Sequence, residues 1–229
     1  GRESTTANSG GSERMSSEAT DWSDRLHRSR TALTLYFRRL LSPPLPGDGL
    51  LLFGFFEGVL GWGLSWAFSR DPSLAPFGLI QSIVGVWAVL TVGIVIFGVT
   101  YTTPTVRRNR VWVVWGGLNL AATLVNLAAL LEVVPSGAVR YAYWHPWLAV
   151  IGIGYLVTAL YDWESPQIRR QERIVYAATG VATLGLLAGS LGPLRAFVTL
   201  HIFAIGAAAH LVPIGHDVLA DAVLIARRQ

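Results

Sequence analysis

Long apolar runs separated by short polar segments dominate the hydropathy pattern of this chain. Each run holds about 20 residues, the length that an α-helix needs to cross the hydrocarbon core of a bilayer. The pattern predicts six transmembrane helices within residues 46–214, at about 49–68, 76–101, 111–132, 146–162, 174–192 and 195–213. The predicted fold class is therefore an all-α membrane protein, built as a six-span transmembrane helical bundle.

A polar head precedes the first apolar run. Residues 1–22 are rich in Ser, Thr, Glu and Gly and have no apolar period, so we expect them to be disordered. Met15 is the only methionine of the chain. Residues 1–14 before it are interpreted as an expression remnant or an upstream extension.

A basic amphipathic segment, residues 23–45, links this head to the bundle. In residues 24–41 leucine and phenylalanine recur at helical spacing, with arginines between them. The segment is predicted to be an amphipathic helix on the membrane surface, with four side chains directed at anionic lipid headgroups: Arg25, Arg28, Arg38 and Arg39. The alternative is a solvated helix packed on the inner face of the bundle. The prolines that follow are expected to end this helix and turn the chain into the bilayer.

The distribution of arginine predicts the orientation in the membrane. Apart from Arg2 and Arg14 in residues 1–14, thirteen arginines lie before the first span or after the second, fourth and sixth, whereas three lie in the opposite loops: Arg70, Arg140 and Arg195. Because basic residues concentrate on the cytoplasmic side, we expect a multi-pass protein of the cell membrane with both termini cytoplasmic. A break at Pro213–Gly215 is expected to separate residues 215–229 as a short cytoplasmic helix.

Tryptophan and glycine positions add expectations about packing. Tryptophans at predicted outer ends are expected to anchor at lipid headgroups: Trp62, Trp66, Trp144 and Trp147. Trp87 lies in the middle of a span and is expected to pack between helices. Glycines four residues apart predict close helix contacts, either within the bundle or in a homo-oligomer: Gly54 with Gly58, and Gly185 with Gly189.

Composition excludes several kinds of chemistry. The chain is 52% hydrophobic and 14% charged, and all of its basic side chains other than histidine are arginines. The absence of lysine excludes a lysine Schiff base, and the absence of cysteine excludes disulfides, iron–sulfur clusters and thiol nucleophiles. No metal site is predicted. Because the arginines are spread over short loops between spans, they indicate membrane orientation and not nucleic-acid binding.

Polar side chains within the spans are the candidate functional residues. Glu57 lies about 12 Å from the predicted cytoplasmic edge, and Asn119, Tyr155 and His210 fall near the same depth. A carboxylate in lipid is costly, so we expect Glu57 to face the interior and to bond Asn119 or, failing that, His210. These residues, with Asn126 on the stripe of Asn119, are predicted to line a solute or proton path. The alternative is that they serve only as interhelical hydrogen bonds.

Two further histidines are candidates for haem b. His145 and His201 lie on different predicted spans, as a pair of axial ligands requires, although their depths differ by about 9 Å. No cofactor is predicted otherwise. His216 is expected at the cytoplasmic surface.

Three classes of function follow from these features. The first is a small-solute or proton-coupled transporter or channel subunit that uses the polar layer. The second is a non-catalytic membrane sensor or complex subunit, with a membrane protein as its partner. The third is a haem- or quinone-binding electron-transfer subunit. The sequence favours a protein that is not an enzyme.

Overall fold

The computed structural model describes residues 10–161 and 169–227. Within these ranges the chain is nearly all helical and forms no strand. A short 3-10 helix, Pro72–Leu74, lies in one loop. The α-helices are, in chain order, α1 (Gly10–Leu40), α2 (Gly47–Arg70), α3 (Leu79–Tyr101), α4 (Pro104–Arg108), α5 (Arg110–Leu130), α6 (Ser136–Val139), α7 (His145–Leu160), α8 (Arg170–Ser190) and α9 (Arg195–Arg227).

Five of the described helices are long and apolar enough to cross a membrane: α2, α3, α5, α8 and α9. The predicted all-helical fold is thus confirmed. The fourth predicted span corresponds to α7, which is apolar but has only 16 residues and is therefore about 24 Å long. Side chains that remain exposed on the long helices are largely apolar, for example Val89, Val181 and Leu200. A bilayer solvates such faces, so the surface agrees with a membrane protein.

The short helix α7 occupies the interior of the bundle. Ten of its sixteen residues are buried, and it packs along α8 more extensively than any other described pair of helices. Two glycines make this approach possible, because a Cβ atom on Gly180 would lie 2.9 Å from the carbonyl oxygen of Gly152. The two backbones therefore touch directly at this point.

Helix α9 runs unbroken from Arg195 to Arg227, so the break predicted at Pro213–Gly215 does not occur. Its 33 residues give a length of about 50 Å, well beyond the roughly 30 Å core of a bilayer. Proline removes one backbone hydrogen bond. Here Pro213, Ile214 and Val218 are all buried, and this packing keeps the helix continuous. Residues 215–227 therefore extend the last span instead of forming a separate helix.

Helix α1 begins at Gly10, so residues 10–22 are helical and not disordered as predicted. The rest of the predicted head, residues 1–9, lies outside the described residues. No proline occurs before Pro43, so the amphipathic helix extends towards the N-terminus without a steric break.

The second half of α1 packs on the bundle, chiefly against α9 and also against α2. The Ser29 hydroxyl donates to the Ala226 carbonyl at 3.2 Å, and Leu40 is buried. Tyr36 and Phe37 contact the core. These contacts agree with the alternative of a helix packed against the bundle, while Leu26 and other apolar side chains of α1 remain exposed.

Candidate functional site

A cavity of about 490 Å³ lies among α2, α3, α4, α5, α7, α8 and α9. Its volume falls in the range of about 300–1,000 Å³ that is typical of small-molecule sites. The wall is mainly apolar and aromatic. The polar and charged side chains that line it are Asp48, Glu57, Arg107, Asn119, Tyr155, Thr158, Tyr176, His210 and Asp217. Four of the five predicted path residues are therefore brought together: Glu57, Asn119, Tyr155 and His210.

Glu57 lies on α2, beside a close contact of this helix with α9. A Cβ atom on its neighbour Gly58 would lie 3.1 Å from the imidazole of His210. Oxygen Oε1 of Glu57 is buried and has no hydrogen-bond partner among the described residues. The expected bond to Asn119 or His210 does not form: Asn119 Nδ2 donates to the Trp115 carbonyl of its own helix, and His210 Nδ1 accepts from Trp62.

His210 is held by two aromatic side chains from other helices. Trp62 Nε1 donates to its Nδ1 at 3.3 Å, which places the proton of a neutral ring on Nε2. The Tyr155 hydroxyl donates to the His210 carbonyl oxygen at 2.5 Å. This carbonyl lies one turn before Pro213, where the helical hydrogen bonding is interrupted. The tyrosine thus ties α7 to α9 in the turn before Pro213.

The two asparagines of α5 have different surroundings. Asn119 faces the cavity, and its Nδ2 donates to the Trp115 carbonyl of its own helix at 2.9 Å. Asn126 lies outside the cavity wall and lines a smaller space of about 130 Å³. Its Nδ2 donates to two backbone carbonyls, those of Ala142 and Tyr143, and its Oδ1 accepts from Trp147 Nε1 at 2.7 Å. Asn126 therefore acts as an interhelical anchor and does not join the other path residues.

Asp217 is a buried member of the site that the sequence did not predict. Its Oδ2 accepts a hydrogen bond from the Tyr176 hydroxyl at 2.6 Å, and the Tyr176 ring stacks on Tyr155 at 5.3 Å. The prediction placed Asp217 in a surface tail because the last span was ended at Pro213. His210 and Asp217 are seven residues apart, so continuing the helical period would have placed both on one face. The neighbouring His216 is exposed, as expected.

Charged side chains surround the end of the bundle next to Asp48 and Asp217. Arg169 Nη2 lies 2.9 Å from Asp221 and also pairs with Glu172, so it joins the start of α8 to α9. The hydrogen bond with Glu172 raises the pKa of Arg169. Burial raises the pKa of the Tyr36 hydroxyl, and nearby carboxylates add to the effect. Tyr36 of α1 therefore lies close to this acidic end of the cavity.

Tryptophans close the other end of the cavity. Trp62 and Trp147 were expected at lipid headgroups, but both are buried, so that prediction is wrong. Trp87 packs between them, at ring distances of 5.1 Å and 4.8 Å. Its position between helices is as expected. Glycines make room for these rings: a Cβ atom on Gly61 would lie 2.6 Å from Trp87.

The two haem candidates have unrelated surroundings. His145 is buried, stacks on Trp144 at 3.6 Å and contacts Tyr141. His201 is exposed and its ring packs on Phe197 of its own helix. Neither lines the cavity described above. Among the described residues no group of three His, Asp or Glu side chains could hold a metal ion.

The site thus offers an apolar, aromatic cavity with a tyrosine–aspartate pair and a glutamate, Glu57, whose buried oxygen has no hydrogen-bond partner in the described part of the chain. This arrangement can bind a small solute and exchange a proton. No protein-family model, curated protein or solved structure matches the chain.

Proposed function

We propose that this chain is a proton-coupled transporter of a small solute, with the cavity as its binding site and Glu57 as its proton carrier. The observation that carries the proposal is the buried Oε1 of Glu57, which lacks a hydrogen-bond partner among the described residues and faces a cavity of ligand size. A carboxylate in such surroundings is costly unless a proton or a ligand neutralises it. Binding and release of a proton are therefore linked to occupation of the cavity.

In the proposed membrane arrangement α7 is the fourth of six spans and both termini are cytoplasmic. The bias of thirteen arginines against three supports this orientation. The short length of α7 is compatible with it, because α5 and α8 enclose this helix and reduce its contact with lipid. With this orientation the acidic end of the cavity, near Asp48 and Asp217, faces the cytoplasm and the tryptophan cluster closes the outer half.

Reconstitution tests the transport proposal. Liposomes that contain the protein and a luminal pH dye would be exposed to a panel of small solutes: organic cations, organic anions, zwitterions and neutral polyols. We expect at least one solute to change the luminal pH faster than in protein-free liposomes. Gly116→Leu should abolish this change, because Gly116 lines the cavity and a Cβ atom there meets nothing within 4 Å.

Gly185→Leu is the matched control for that experiment. A Cβ atom on Gly185 also meets nothing within 4 Å, but this glycine does not line the cavity, so transport should persist. A panel in which no solute moves protons would contradict the proposal. Equal transport by the Gly116 variant and the wild type would contradict the assignment of the cavity as the path.

A further inference from the structure

The charges around the cavity are predominantly negative. Three carboxyl groups line it, Asp48, Glu57 and Asp217, against a single guanidinium, that of Arg107. Arg107 is exposed, and its Nη1 donates to the Val99 carbonyl at 3.0 Å, which holds it at the end of α3. The imidazole of His210 accepts at Nδ1, and the two tyrosine hydroxyls donate to Asp217 and to the His210 backbone.

Glu57 differs from Asp217 in its partners. Asp217 accepts a hydrogen bond from Tyr176, whereas the buried oxygen of Glu57 accepts none among the described residues. A bound ligand with a positive charge would supply the missing counter-charge. An anion would be repelled, and a neutral solute would leave the carboxyl group without a charged partner.

The aromatic wall favours one kind of cation. Five tryptophans line the cavity, and four of them already donate their indole N–H groups to protein acceptors: Trp62 to His210, Trp87 to Ser65, Trp115 to Thr158 and Trp147 to Asn126. What these rings can still offer a ligand is π surface and apolar contact. Rings of this kind attract cations over their faces, most strongly where water is excluded. A small inorganic cation requires about six oxygen ligands, which this apolar wall does not provide.

We propose that the cavity binds a monovalent organic cation with aromatic or other apolar substituents, its charge paired with Glu57. This inference rests on the proposed function, because it names the class of solute that the same site would bind. As the cation enters, the proton of the Glu57 carboxyl group leaves to water, so the charge inside the cavity is balanced before and after. Release of the cation is accompanied by return of the proton.

The shape of the cavity gives such a molecule an entry from the bilayer. Val95 and Val99 of α3 and Val113 of α5 line the cavity and are also exposed. The wall is therefore open between α3 and α5, on a side of the bundle that would face lipid. Cations with apolar substituents partition into membranes and would reach Glu57 by this route.

Binding of tetraphenylphosphonium to the purified full chain in detergent tests the inference. Tetraphenylborate is the matched anion, with almost the same size and shape. After subtraction of uptake by protein-free micelles, we expect one tetraphenylphosphonium per chain, at least tenfold weaker binding of tetraphenylborate, and release of one proton per cation in weak buffer. Glu57→Gln should weaken cation binding at least tenfold and abolish the proton release. Equal binding of the two ions, or undiminished cation binding by the Glu57 variant, would overturn the inference.

If Glu57→Gln does not fold, two glycine-to-leucine variants test the same inference by changing the volume of the cavity. Gly116→Leu fills the cavity and should weaken tetraphenylphosphonium binding at least tenfold, whereas Gly185→Leu should leave it unchanged. Full binding by the Gly116 variant would place the cation elsewhere and overturn the inference.

Failure of this inference is distinguishable from failure of the transport proposal. If tetraphenylphosphonium binds but drives no more proton movement in proteoliposomes than in protein-free liposomes, the cation site stands and transport fails. If a neutral or anionic solute is transported through the cavity while tetraphenylphosphonium does not bind, transport stands and the cation class is wrong.

Discussion

Single side chains hold the bundle together through hydrogen bonds that cross from one helix to the next. Asn126 makes three of them, which reach the segment before α7 and the Trp147 indole. Asn119 lies two turns earlier on α5 and donates only to its own helix. The same residue type thus has a structural role at one position and faces the cavity at the other.

Replacing each asparagine by alanine separates these roles. Asn126→Ala leaves the Trp147 N–H and two carbonyls without their partner, and should lower the free energy of unfolding by about 2 kcal/mol. Asn119→Ala should change thermal stability in detergent by less than about 0.5 kcal/mol, since its amide bonds only a carbonyl of its own helix. Thermal unfolding followed by circular dichroism measures both. Equal destabilisation by the two substitutions would contradict the distinction.

The sequence predicted which polar residues lie at one depth of the bundle, but not the hydrogen bonds that they make. Counting helical rise from the arginine-rich ends brought Glu57, Asn119, Tyr155 and His210 to one depth, and all four line the cavity. Their hydrogen-bond partners depend on how neighbouring helices face one another. The local sequence around each residue does not determine this. The indole donors that occupy His210 and Asn126 could therefore not be foreseen.

Helices α7 and α8 form the most extensive contact among the described helices. The absence of a side chain at Gly180 allows their close approach. A Cβ atom on Gly180 would lie 2.8 Å from Leu156 Cγ and 3.0 Å from the Leu156 backbone nitrogen. A backbone atom cannot move aside as a flexible side chain can. The two helices would therefore have to separate to admit any side chain at this position.

Gly180→Ala should destabilise the protein by about 1–3 kcal/mol through overpacking. Gly185→Ala, one and a half turns further on α8, should be neutral or stabilising by up to about 1 kcal/mol, since alanine favours the helix and meets nothing within 4 Å. Thermal stability of the two variants in the same detergent is the measurement. A Gly180 variant as stable as the Gly185 variant would show that the helices are not in direct backbone contact.

Element boundaries were predictable where hydrophobicity alone sets them. The five long apolar helices match predicted spans because bilayer thickness fixes the length of such runs. The predicted end of the last span at Pro213 is wrong. Tertiary packing around this proline outweighs the local tendency of proline to end a helix. The contact of α1 with α9 lies between distant parts of the chain and has no signature in either segment.

The proposed topology of the whole bundle predicts which loops lie outside the cell. Because the sequence contains no cysteine, single introduced cysteines can report this directly. Single cysteines at Ser136, in α6, and at Thr105, in α4, are both at exposed positions. In intact cells a membrane-impermeant maleimide should label Ser136→Cys and not Thr105→Cys. After the cells are opened, both should react. Labelling of Thr105→Cys in intact cells would reverse the orientation.

Proton-coupled transport by this chain requires Glu57 to be a proton carrier and not merely a structural group. Glutamine keeps the size and hydrogen-bonding capacity of this side chain but cannot release a proton, whereas alanine removes both. The most direct measurement is therefore solute-driven pH change in proteoliposomes of the wild type, Glu57→Gln and Glu57→Ala, with the melting temperature of each protein recorded in parallel. We predict that Glu57→Gln abolishes the pH change and leaves the melting temperature nearly unchanged. A Glu57→Gln protein that still moves protons with its solute, while Glu57→Ala is only less stable, would contradict the account.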